Sequence, residues 1–414
     1  MIGRFRSPFL FMQMRSEQWD ADIEQALAER LEEQVAYAAS EVQYYKDAIG
    51  DLRIRGLEDL PSLPLLTKEM VRDSPDSFIS RRHRKEGLRG LSTSGSTGIP
   101  LKYYIDEDES GFRSAGLAYA YMEAGQRFFD RIAFVTYDPR KQAESYRSSV
   151  FRYSFLSMFD EEGRTLSSIR RLSPAQLRSY PSVLVQLAKR NLESACRVSV
   201  RNVFSGAETL SQDARKLISD SFGCEVRDFY GAIETGRIAW ECGKGSLHLI
   251  PGYMIAEVLD HSGDPLPDGR MGDLVLTQLF QRAMPLIRYK IGDRAILSKG
   301  CACGRKGKII KKLAGRVSAM LVMPSGKAWN SLALDIYIRT FPGILLFQAV
   351  QEGPGALLIR LVPRGRFDEG LIRAMRERIR SCFPEPMEIE IELVDRLPPG
   401  RKFQVVSTQV KPGA

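Results

Sequence analysis

Apolar positions recur at three- and four-residue spacing through residues 17 to 47, as in EQALAERLEEQVAYAAS, which predicts a helix. The proline-punctuated LPSLPLLTKEM reads as an extended entry with Thr67 as the N-cap of a helix. LKYYIDEDE, from Leu101 to Glu109, alternates as a strand does. As far as residue 235, short apolar runs such as RIAFVTYD, SVLVQLA and VSVRNVFSG read as strands between helical segments such as LSQDARKLISDSF. That alternation predicts a layered α/β structure. Between 252 and 298 the texture becomes strand-rich and turn-linked (YMIAEVLD, GDLVLTQL, RAILSKG). After Gly315, ILLFQAVQE and ALLIRLVP, a helix over DEGLIRAMRERIRSC and EIEIELVD form a compact α+β pattern with its own core. At 414 residues the chain exceeds what one hydrophobic core usually serves. The expected organisation is a large layered α/β domain over 1–316, with a β-rich subdomain at about 240–312, and a small α+β domain over 317–414.

Composition narrows the function classes. The chain is 43% hydrophobic and 27% charged, ordinary values for a globular protein. The apolar run Pro8 to Met12 is too short for a signal-peptide core, and no stretch approaches the roughly 20 apolar residues of a membrane span. A cytoplasmic location is therefore expected. Net charge is +9, but apart from RRHRKEGLR at Arg81 to Arg89 the basic residues are scattered, with no aromatic-interleaved reading motif. This points away from nucleic acid, and a modest field attracting small phosphate-bearing ligands explains the basic excess equally well. The six cysteines, at 196, 224, 242, 301, 303 and 382, lie in a long chain without export signals, where paired disulfides are not expected. Three histidines and the lack of a G-x-S-x-G element give hydrolase triads little support.

Two segments carry candidate chemistry. STSGSTGIP, residues 92 to 100, packs hydroxyls and glycines into an uncharged loop whose backbone N–H groups could converge on a phosphate. Counted from Gly90 it has P-loop spacing without the lysine, and by composition alone it equally suits a surface loop. Cys242, His248, Cys301 and Cys303 supply four ligands of the kind tetrahedral zinc takes, although the spacing is not that of a zinc finger. They form a candidate structural zinc site, with reduced core thiols as the alternative.

Four further segments follow TSGSTGIP in order: VFSGAETL at 203–210, DFYGAIETG at 228–236, MPLIRYKIGDRA at 284–295 and LAGRVSAM at 313–320. With LPLLTKEM, SYPS at 179–182 and CACGR at 301–305, this ordered set resembles the adenylate-forming superfamily, specifically its phenylacetate-CoA ligase-like branch. The resemblance covers the chain from about residue 35 onward. It implies ATP-dependent activation of a small carboxylic acid, aryl or arylacetic by branch, to an acyl-adenylate with release of pyrophosphate, then transfer to coenzyme A. A relative passing the acyl group to an amine, hydroxyl or carrier-protein thiol, or transferring AMP itself, is the alternative. A non-catalytic nucleotide-binding homologue is the second.

The resemblance also assigns roles. Thr93, Ser94, Gly95, Ser96, Thr97 and Gly98 correspond to the phosphate loop, Thr97 among the catalytic residues; Ile99 and Lys102 flank the place where the family often has a lysine. Glu234 corresponds to the Mg²⁺ ligand. Tyr230 and Gly231 would lie against adenine, with Phe229 and Thr235 in the same nucleotide-binding set, and Ser205, Gly206, Ala207 and Glu208 on its other side. Asp293 would accept hydrogen bonds from the ribose hydroxyls, and Arg316 would lie near ribose and phosphate. Lys402, preceded by an intruding Arg401, would reach the α-phosphate. The C-terminal domain would rotate between two poses about a hinge where Ser318 replaces the usual Asp or Lys. The oligomeric state is left open, a homodimer being compatible with the sequence.

Overall fold

The computed structural model describes residues 23–92, 101–137, 139, 152–316, 320–331, 334, 337–338, 341–398 and 406–410. In chain order the elements are α1 (Ile23–Glu41), α2 (Gln43–Ile49), α3 (Lys68–Asp73), β1 (Arg89–Ser92), β2 (Lys102–Ile105), α4 (Glu107–Glu123), β3 (Arg131–Thr136), β4 (Arg152–Ser157), α5 (Glu162–Leu172), β5 (Gln176–Ser179) and α6 (Pro181–Glu193). Then come β6 (Asn202–Gly206), α7 (Gln212–Phe222), β7 (Val226–Ala232), β8 (Gly236–Glu241), β9 (Leu247–Leu249), β10 (Met254–Leu259), β11 (Met271–Gln278), β12 (Tyr289–Lys299) and β13 (Lys308–Arg316). The remainder is β14 (Met320–Val322), β15 (Ala328–Asn330), β16 (Ile344–Gly353), β17 (Ala356–Pro363), α8 (Glu369–Arg380), β18 (Glu388–Leu393) and β19 (Val406–Thr408). The mixed α/β class expected from the sequence is the one observed. Among the described residues no helix is long and apolar enough to cross a membrane.

By contacts the chain divides into two units, Met1–Gly125 with Phe229–Gly315, and Gln126–Asp228 with Arg316–Ala414. These bounds differ from the 1–316 and 317–414 division. In the first unit β8 to β13 form antiparallel pairs, β10 with β11, β11 with β12, β13 with β9 and β9 with β8. α4 packs on β8, where Tyr119 meets Trp240 edge-on with ring centroids 6.4 Å apart. The start of α4 corrects the strand reading of LKYYIDEDE. The strand ends at Ile105, and Asp106 caps the helix by accepting from the Glu109 amide at 2.7 Å. An acidic run is well placed there, because carboxylates favour the positive end of a helix. Thr67 caps α3 as expected, accepting from the Met70 amide at 3.3 Å.

In the second unit β4, β3, β5 and β6 are parallel neighbours, with cores drawn from α5, α6 and α7. SVLVQLA, read above as a strand, lies instead in α6. Pro181 occupies the first turn, where a missing N–H costs nothing, and Leu184, Val185, Leu187, Ala188 and Asn191 are buried at helical spacing. Each fully buried leucine there contributes on the order of 1.5–3 kcal/mol. Residues 344–408 add a sheet in the order β18, β17, β16, β19 covered by α8, whose Met375 and Ile379 are fully buried among Leu357, Ile359 and Leu361. In the same unit the Ser211 hydroxyl donates to the carbonyls of Ile344 and Leu345 at 3.3 and 3.0 Å.

Candidate active site and metal centre

β7 and β8 form a hairpin in which Ala232 pairs with Gly236, leaving Ile233, Glu234 and Thr235 as its loop. Gly236 has φ +71°, the left-handed conformation that closes such a loop most easily when glycine supplies it. A Cβ at Gly231 would stand 2.6 Å from the Gly236 carbonyl oxygen, so its smallness serves the approach of the two strands. The loop turns Ile233 outward, 43% exposed, and Glu234 inward, 1% exposed.

Glu234 is held from several sides. Its carbonyl accepts from Arg113 Nη2 at 2.7 Å and Gln281 Nε2 at 3.2 Å, and Oε1 accepts from the Tyr289 hydroxyl at 3.1 Å. Among the described residues Oε2 is buried with no hydrogen-bond partner, as is the Thr235 hydroxyl. A buried carboxylate oxygen without a donor is costly and calls for a cation. The donor chemistry, a hard carboxylate oxygen, fits Mg²⁺. Above the loop, Arg113 is paired with Glu109 through Nε and Nη2 at 2.9 and 2.7 Å. Burial pushes the Glu109 carboxyl up to about 7, against the pull of Arg113.

Nearby the Tyr230 hydroxyl donates to Asp293 Oδ2 at 2.5 Å, and Asp293 is 5% exposed. Phe229 is buried, with the Arg237 guanidinium 5.0 Å from its ring centroid. Of the other expected residues, Ser205, Gly206, Ala207 and Glu208 belong to the second unit. There the Ser205 hydroxyl donates to Asp228 at 2.6 Å, and Ala207 adopts φ +69°, strained for a residue with a Cβ. Glu208 caps α6, accepting from the Ser182 amide and hydroxyl at 2.9 and 3.0 Å. Burial pushes its carboxyl up to about 7. Thr93, Ser94, Gly95, Ser96, Thr97, Gly98, Ser318 and Lys402 lie outside the described residues. Arg316 ends β13.

Glu109, Arg113, Gln281 and Tyr289 escaped the sequence reading. The Glu109–Arg113 pair has helical i,i+4 spacing that the strand reading of DEDE concealed, whereas Gln281 carries no signal in isolation. His83 Nε2 lies 3.1 Å from Asp106 Oδ2.

The four metal-ligand candidates are gathered in the first unit. Their ligand atoms all lie within 4.8 Å of one another. Cys242 Sγ is 3.7 Å from Cys301 Sγ, and Cys303 Sγ is 3.3 Å from His248 Nε2. Two thiolates each about 2.3 Å from one tetrahedral ion stand about 3.8 Å apart, which this pair matches. Burial and the Arg305 charge lower His248 to about 4, keeping the imidazole neutral. The ring stacks on Trp240 at 5.4 Å, and Arg305 covers Trp240 from 5.0 Å while pairing with Glu123 of α4 at 3.0 Å.

No family model matches the chain. It is 28% identical over 315 residues to a phenylacetate-coenzyme A ligase of Thermus thermophilus, covering 71% of this chain and 70% of that protein. Phenylacetate-coenzyme A ligases of Pseudomonas putida and Escherichia coli match at 26% and 28%. These ligases are members of the adenylate-forming superfamily, which the chain resembles. Within that superfamily the similarity is to the phenylacetate-CoA ligases. Protein CapK of Staphylococcus aureus, 23% identical, aligns over 92% of this chain and 88% of its own length. The adenylate-forming fold is seen in a 2-hydroxyisobutyryl-CoA ligase in the postadenylation state, with TM-score 0.73 at 17% identity over 95% of this chain and 91% of that one.

Proposed function

We propose that the protein activates a small carboxylic acid, aryl or arylacetic, with ATP, releases pyrophosphate, and passes the acyl group to coenzyme A. The observation that carries this reading is the buried Oε2 of Glu234, which has no donor among the described residues and sits on a hairpin loop in the segment where the superfamily resemblance puts the magnesium ligand. Mg²⁺ on that oxygen would supply positive charge against the phosphates, the main need when a phosphoryl bond to a carboxylate forms. Tyr289 keeps Oε1 oriented, and Asp293 with Tyr230 supplies a carboxylate suited to ribose hydroxyls. The loop from Thr93 to Gly98 would bind phosphate through N–H and hydroxyl donors, and Lys402 would add positive charge at the α-phosphate.

Residues 317–414 would act as the mobile domain; an apolar cluster drawn from 321–406 alone supports this, while Leu345, Leu346, Val362 and Leu397 pack in the cluster of β3 and α5 to α7. Cys242, His248, Cys301 and Cys303 would hold a zinc ion; four protein ligands leave no open position, so its role would be structural. Incubation with ATP, Mg²⁺ and a panel of carboxylic acids, with and without coenzyme A, tests the reaction: a thioester formed only with coenzyme A supports it. Ile99 beside Pro100, where the family often has a lysine, favours a second reading in which an amine, hydroxyl or carrier-protein thiol takes the acyl group. That reading gives acyl-adenylate but no thioester with coenzyme A.

A further inference from the structure

The guanidinium of Arg113 has every nitrogen engaged. Nε and Nη2 meet Glu109 Oε1, Nη1 donates to the Ile233 carbonyl at 2.6 Å, and Nη2 also donates to the Glu234 carbonyl. Gln281 bridges the same two partners, with Nε2 3.3 Å from Glu109 Oε1 and 3.2 Å from the Glu234 carbonyl. Its Oε1 in turn accepts from the Leu286 amide at 3.0 Å, which fixes the amide's orientation. Tyr103 completes the surround, its hydroxyl 3.2 Å from Glu109 Oε1. The arginine stem also supports the loop, since a Cβ on Gly236 would stand 3.3 Å from Arg113 Cγ.

We infer that Arg113 is a positioning residue for Glu234: its planar fork, neutralised by Glu109 and braced by Gln281, fixes the 233–234 carbonyls so that the loop can place a carboxylate oxygen for a divalent cation. A buried ion pair is by itself a poor source of stability, because desolvation offsets much of the attraction. Its geometry is what distinguishes it: one rigid group spans a carboxylate and two successive loop carbonyls. Lysine would keep the charge and lose the fork, since a single ammonium cannot span the same three acceptors in one plane.

The inference rests on the reading of Glu234 as the magnesium ligand, and the test separates the two. The full-length protein is titrated with Mg²⁺ in the presence of a non-hydrolysable ATP analogue, with analogue affinity read by calorimetry and repeated in EDTA. Arg113→Lys should raise the Mg²⁺ concentration for half-maximal enhancement about tenfold, the loss expected when a charge-assisted hydrogen bond goes, and leave the affinity in EDTA unchanged. An unchanged Mg²⁺ dependence, or equal losses with and without Mg²⁺, overturns the positioning role. Glu234→Gln should abolish the enhancement; if it does not, the ligand reading itself fails, whatever Arg113→Lys does. Should Arg113→Lys not fold, Gln281→Met decides: it removes one brace without changing charge, and should shift the Mg²⁺ midpoint about threefold. No shift there overturns the inference equally.

Discussion

The Tyr230 hydroxyl donates to the Asp293 carboxylate at 2.5 Å, joining the end of β7 to β12 in the first unit. If Asp293 serves ribose hydroxyls as proposed, its carboxylate must be oriented before the nucleotide arrives, and a phenol fixed by its own strand would do this without adding charge. Hydrogen bonds to charged groups contribute about 1.5–3 kcal/mol, so the pair is strong enough to set the carboxylate's rotamer. Tyr230→Phe should therefore raise the KM for ATP by roughly tenfold or less while changing kcat little, because the ring face remains. Asp293→Ala should raise that KM further. Steady-state adenylation at varied ATP checks both, and equal losses of kcat in the two variants would contradict the assignment.

The proposed zinc site predicts a composition as well as a stability. Protein purified without added metal should contain about one equivalent of zinc, as four protein ligands around one ion require. Cys303→Ser should lower zinc content and Tm together, since metal affinity is folding free energy in such a site. ATP affinity in the folded fraction should stay close to wild type. Zinc-free wild-type protein of unchanged Tm would return the cysteines to reduced core thiols.

Lys402→Ala should impair adenylate formation and spare thioester formation from supplied acyl-adenylate, because the lysine would meet the phosphate in only one of the two domain poses. Rapid-quench measurement of the separate half-reactions checks this. Equal loss in both would indicate general destabilisation.

Glu208 gives a pH prediction. Burial raises its carboxyl from the ordinary 4.5 to about 7, so in the folded protein it stays protonated across a range where the unfolded chain is ionised. A raised folded value means the stability this group contributes is fully present below 4.5 and is lost as pH rises through about 7. The unfolding free energy of wild type relative to Glu208→Gln should fall between pH 4.5 and 8 by on the order of 2 kcal/mol. Paired denaturation curves at the two pH values measure it; a difference that grows with pH would reverse the sign and the cause.

Much of this was readable in the sequence because the site is built from short contiguous segments. FYGAIETG places Tyr230, Gly231 and Glu234 within one hairpin, and CACGR brings two thiols to one turn. What could not be read is the support that arrives from far along the chain. Gln281 lies 47 residues from Glu234, and the hydrogen bond between them exists only because the strands return to the loop. SVLVQLA failed for a different reason: a seven-residue apolar run fits a buried strand as well as a helix, and the decisive signal was the proline before it. Glu208 is similar, since nothing in VFSGAETL announces that its carboxylate caps a helix beginning at Pro181.

The central claim, that this chain adenylates a carboxylic acid at Glu234, is tested most directly by exchange of labelled pyrophosphate into ATP across a panel of carboxylates. Exchange should require both Mg²⁺ and one class of acid, and should fall by about 10²–10³ in folded Glu234→Gln, equivalent to about 2.7–4 kcal/mol of lost electrostatic stabilisation. Acid-dependent exchange undiminished in Glu234→Gln would contradict it, as would no exchange with any acid from folded wild-type protein that binds ATP.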